Sequence, residues 1–168
     1  MATSNAYLAA PGTAVTFDAA GTDVVFTLTS LAAGAGRQSA QHDFTDAARP
    51  YKYRWRASVK FSTAPVVGER IDYYYKSALT STTILDNDDG TGDIALSSTD
   101  KLRNLHYIGS IIVDEAATGV EMVASGTINI MERFVHIVCH NATADVLSAT
   151  STDMSFTLTP ISIQGQAT

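Results

Sequence analysis

Four carboxylates crowd around two glycines in "DNDDGTGD", where Asp86, Asp88, Asp89 and Asp93 surround Gly90 and Gly92. Oxygen ligands at that density are what a Ca2+ ion takes. The spacing of a calcium-binding EF-hand loop fails here. With Asp89 and Gly90 at positions five and six, Leu85 falls at position one; a loop begun at Asp86 puts Ser97 where the bidentate glutamate belongs. The stretch therefore reads as a polar turn.

His136 and His140 are four residues apart. On a helix that spacing would suit a metal, but on a strand the two rings share a face about 13 Å apart, too far to hold one ion. His42 and His106 have no companion. Asp114 and Glu115 are adjacent, so an extended chain points them to opposite faces, poor geometry for paired acid and base work. The sequon Asn141-Ala142-Thr143 is most simply a turn. No Gly-x-Ser-x-Gly elbow, His-Glu-x-x-His pair or phosphate-cradling glycine loop is present. The expectation is a non-enzymatic protein without metal or other cofactor.

The elements that would carry these residues are extended. Period-two alternation runs near 13–18, 23–29, 51–62, 68–76, 105–114, 119–130, 132–140 and 153–159, rich in β-branched and aromatic residues. Gly, Asp, Asn, Ser and Pro fill the gaps. About eight strands without a long helical pattern predict an all-β fold: an antiparallel β-sandwich, jelly-roll-like, with long loops at 30–50 and 77–104. The expected division is an extended N-terminal arm (1–12), a sandwich domain (13–162) and a short tail (163–168). "FTLT" occurs at 26–29 and again at 156–159, which predicts that the first and last long strands are neighbours with Thr–Thr pairs between them. The loop 30–50, which carries Phe44, is expected to drape over a neighbouring molecule.

Composition narrows the function. The 168 residues suit one domain with a sizeable core, and 45% hydrophobic content fits a globular chain. A net charge of −6 argues against general nucleic-acid binding. Cys139 is the only cysteine, which excludes an intrachain disulfide and a cysteine-based zinc site. The opening residues lack the basic start and apolar run of a secretory signal, and no stretch reaches the length of a membrane helix. Synthesis in a cytoplasm is expected, with no membrane partner.

Within this acidic chain, Lys52, Arg54, Arg56 and Lys60 share one face of one strand, opposite Tyr51, Tyr53, Trp55, Ala57, Val59 and Phe61. The basic face either pairs with nearby acids such as Glu69 and Asp72 or meets an acidic partner. The stretch 131–140 is apolar on both sides: Met131, Val135, Ile137 and Cys139 on one, Phe134, His136, Val138 and His140 on the other. It is either a central strand covered twice or part of a subunit interface. Tyr74 faces away from Tyr73 and Tyr75 and suits an interface too. The candidate partner-contact residues are Lys52, Arg54, Arg56, Lys60, Tyr74, Phe134 and His136.

"SLAAGAGRQSAQHDF", "WRASVKFSTAPVVGE", "DNDDGTGD", "DKLRNLHYIGSIIVDEAATGVEMVASG" and "NATADVLSATSTD" resemble a family of small virion proteins of tailed bacteriophages. The likeness covers most of Leu31 to Asp153 and brings no catalytic residues with it. It implies a jelly-roll-like capsid decoration, or cement, protein. Such a protein would be made in the host cytoplasm, lie on the outer surface of the virion and bind the major capsid protein. Outward apolar faces favour a homo-oligomer, dimer or trimer. Rival readings are a carbohydrate-binding jelly roll for host recognition, stacking sugars on Tyr74 or Trp55, and a tail or head–tail structural protein.

Overall fold

A computed structural model describes residues 12–45, 50–81 and 90–161, together with the backbone of two short strands near the termini. In chain order the strands are β1 (Ala6–Tyr7), β2 (Val15–Asp18), β3 (Val24–Val25), β4 (Gly36–Gln38), β5 (His42–Asp43), β6 (Lys52–Val59), β7 (Arg70–Ala78), β8 (Ile94–Ala95), β9 (His106–Ile112), β10 (Met122–Asn129), β11 (Phe134–Asn141), β12 (Ser155–Pro160) and β13 (Gly165–Gln166). Five of them form one sheet in the order β10-β6-β12-β2-β3; the other sheet runs β8-β4-β11-β7-β9, with β5 also on β11. Apart from the parallel β2–β3 pair, the ladders are antiparallel. The chain is an all-β, jelly-roll-like sandwich.

Alternation builds the core. Tyr53, Trp55, Ala57 and Val59 of β6 are buried, as are Phe156 and Leu158 of β12 and Ile71 and Tyr73 of β7. Between the sheets Phe156 sits 5.3 Å from Tyr73 and 6.1 Å from Phe17, ring centre to ring centre. Each large apolar side chain buried this way contributes about 1.5–3 kcal/mol.

Several local expectations change. β6 spans eight residues rather than twelve, and Phe61 beyond it makes an isolated bridge to Leu147. The second "FTLT" lies in β12, but the first follows β3 outside any strand, although Phe26 and Leu28 are buried. The opening segment β2 takes the place beside β12, and the Thr–Thr pair is Thr157 with Thr16. Of the stretch 30–50, residues 30–45 do not drape outward: β4 and β5 pair with β11, and Phe44 is buried against Tyr53. Of the arm at 1–12 and the tail at 163–168, only Gly12 and the backbone of the β1–β13 pair are described.

Candidate functional site

The outer face of the five-stranded sheet carries the basic strip. Odd residues of β6 point inward, so Lys52, Arg54 and Arg56 stand outward and exposed. Alternate residues of a strand recur about every 6.6–6.8 Å, so the three cations form a regular column. Neutral polar residues flank it: Arg54 lies between Thr127 and Thr159, Arg56 between Ser125 and Thr157, and Lys52 beside Asn129. Arg54, Trp55, Arg56, Thr157 and Thr159 line a shallow recess of about 300 Å³.

The acids expected to neutralise this strip are elsewhere. Glu69 accepts from the Ala144 amide, and Asp72, on the other sheet, accepts from Arg70 and Ser110. Arg56 reaches Glu121 at 3.3 Å with both side chains about half exposed, an arrangement worth about 0–1 kcal/mol. Lys60 is held by Asp153 at 2.8 Å. Bonds from Lys60 and Ser148 pull the Asp153 carboxyl below its ordinary range, and the same contact raises Lys60. Lys60 is therefore committed within the chain, whereas Lys52 and Arg54 make no ion pair with described residues.

Two glycines make room for the Trp55 indole, which points from β6 into the space between the sheets. A Cβ at Gly126, opposite Trp55 on β10, would fall 2.7 Å from Nε1; one at Gly109, on β9 of the other sheet, 2.6 Å from Cζ2. The indole also stacks 6.1 Å from Phe156 with the ring planes 4° apart. Trp55 is thus wedged between sheets and only 4% exposed, which leaves it no free ring face for a sugar.

The other candidates separate. Phe134 and His136 are buried within the chain and present no surface to a partner; their place in the predicted interface is corrected. β11 is the doubly covered central strand. Its outer side is roofed by the chain itself: Gln38 beside it donates to the Gly90 and Gly92 carbonyls at 2.9 and 3.0 Å and accepts from Lys76 at 3.0 Å. Tyr74 is half-buried and packs edge-on to the exposed Tyr107, with ring centres 5.5 Å apart. Burial raises the Tyr74 phenol, and neighbouring Asp72 adds to the effect.

Of the acidic turn, Asp86, Asp88 and Asp89 lie outside the described residues. Asp93 receives Arg37 through two bonds of 2.7 and 2.9 Å and the Thr27 amide at 3.3 Å. Burial pushes its carboxyl up, but these bonds outweigh that and hold it below the usual range. Asp93 is a structural clasp. No group of three or more His, Cys, Asp or Glu among the described residues is arranged to hold a metal. Asn141 is buried, and its amide donates to the carbonyls of Leu31, Ala32 and Asp145, so the sequon is an internal turn.

The sequence reading missed the hydroxyl columns beside the cations. Alternating Ser and Thr in β10 and β12 was a visible signal, but its meaning depends on which strands neighbour β6.

No protein-family model and no curated protein matches the chain. Among solved structures it is similar to murine APRIL, crystallised at pH 5.0, over 73% of this chain and 72% of that one, with 6% identity and a TM-score of 0.42. No helix among the described residues is long and apolar enough to cross a membrane.

Proposed function

We propose that the protein is a non-enzymatic component of a bacteriophage particle, a decoration protein that binds and reinforces the outer surface of the capsid. The observation that carries this reading is the column of Lys52, Arg54 and Arg56, exposed and largely unpaired on an otherwise acidic chain. Three like charges on one strand repel one another, so an acidic partner surface relieves a cost that the free protein bears. The flanking Ser and Thr hydroxyls both donate and accept, which suits a carboxylate-rich protein surface with mixed polar neighbours. The resemblance of Leu31–Asp153 to phage virion proteins supplies the kind of partner, the major capsid protein. On a symmetric shell, many weak copies of this contact add through avidity.

The test is binding to undecorated capsids. Arg54→Glu with Arg56→Glu should weaken attachment by at least about tenfold and abolish its salt dependence. Unchanged affinity at low and high salt would remove the basic face from the reading. A carbohydrate-binding module is the second reading, favoured by the Tyr74–Tyr107 pair, in which Tyr107 is 59% exposed. Clear sugar binding by the isolated protein on a glycan array, lost in Tyr107→Ala, would favour it.

A further inference from the structure

The sandwich has four sheet edges among the described residues, and three of them are blunted. β3 and β8 are two residues long, and β9 is broken by a register shift opposite Tyr73/Tyr74. Short or bulged edges offer little backbone to another strand.

β10 has neither protection. It pairs with β6 over eight residues, Met122 to Asn129, in unbroken register. Its sequence, MVASGTIN, contains no charge and no proline. In a ladder, alternate residues direct their N–H and C=O groups away from the partner strand. On β10 those outward groups have no hydrogen-bond partner among the described residues, apart from the Asn129 carbonyl, which accepts from the Tyr75 hydroxyl at 3.0 Å. β9 packs near β10 at this corner of the sandwich but makes no ladder with it. Ala124 and Gly126, although on the inward-facing register, are only half-buried, which marks the strand's flank as open.

We infer that β10 is the docking edge for a second copy of this chain, joined by antiparallel β10–β10 pairing about a two-fold axis. The chain's own edges select this occupant. A contact between identical patches about a two-fold needs a self-complementary strand. β10 is the one long, smooth edge among those described, and any antiparallel register sets uncharged residues opposite one another. The second copy also arrives with its strand already ordered, so pairing avoids the entropy that a flexible peptide would lose. The joined sheet is continuous, and both cation columns lie on the same side of it.

Sedimentation of the full chain tests this. The wild type should form a dimer, and hydrogen exchange should slow at the outward amides of β10 as concentration rises. Ser125→Lys with Thr127→Lys sets like charges across the axis and should raise the dimer dissociation constant at least about tenfold. Mixing that chain with one carrying Ser125→Glu and Thr127→Glu should restore dimers, a rescue that a folding defect cannot mimic. Thr157→Lys, on the same face but in a central strand, should leave the dimer intact. A wild type that stays monomeric at its highest soluble concentration would overturn the inference. So would any oligomer that forms equally well in the Lys variant, or a mixture that fails to restore pairing. These outcomes are independent of whether the capsid is the partner.

Discussion

His136 places Nδ1 2.9 Å from the Ser39 carbonyl, and because a carbonyl can only accept, the ring must carry its proton there. Burial lowers its pKa from the ordinary 6.5 to about 4; the Ser39 bond works the other way, and nearby Lys76 adds to the lowering. Between those two values the unfolded chain binds a proton that the folded chain refuses, so stability falls as pH drops from about 6.5 to 4. At about 1.4 kcal/mol per pH unit this amounts to about 3 kcal/mol. His136→Gln keeps an N–H for Ser39 and removes the titration, so urea midpoints should lose most of that slope between pH 7 and pH 4.5. A residual slope is expected from His42, lowered chiefly by burial. An unchanged slope would mean that His136 titrates freely. Trp55 sets a second test. Gly109→Ala places a methyl 2.6 Å from a rigid indole, so a loss of about 1–3 kcal/mol with altered tryptophan fluorescence is expected. Full stability would show that β9 can withdraw without cost.

At the scale of elements, β11 shows what could be read and what could not. Both its faces are apolar, which the residues state openly; whether a second layer or a second subunit covers the outer one is not written in the strand. The layer comes from a segment without periodicity, held on Gln38, a residue only 1% exposed. Gln38→Leu removes two donated bonds and an acceptor for Lys76. It should cost about 2–4 kcal/mol and speed hydrogen exchange at Ile94 and Ala95. Unchanged exchange would show that the roof is held elsewhere. The long strands were legible because each alternates. β4, β5 and β8 were not, because two or three residues carry no period; β3 is the short part of the alternation at 23–29 that pairs as a strand. The basic column was legible as a face of β6. That Lys52 and Arg54 have no acid partner among the described residues was not, because Glu69 and Asp72 are near them in sequence while Asp72 lies on the other sheet. Repeated "FTLT" misled for a related reason: four residues fix which side chains share a face but not which strand lies alongside.

The whole molecule is closed by its last long strand. β12 enters between β6 and β2, bonding to both, with Phe156 and Leu158 fully buried. Without it β2 and β3 have no connection to the rest of their sheet, and Trp55 loses the ring it stacks on. Removing an edge strand of a sandwich leaves a smaller sheet; removing this one divides the sheet and opens the core along its length. A chain ended before Ser155 should therefore lose the cooperative urea transition and the near-ultraviolet signal of Trp55 together, rather than fold with reduced stability. The same topology makes folding depend on contacts between the two ends of the sequence, and refolding of the intact chain should fall in the millisecond-to-second range of non-local β folds. A truncated chain that still melted cooperatively, with Trp55 in a fixed environment, would mean that β6 and β2 can close on each other. The central position of β12 would then be dispensable.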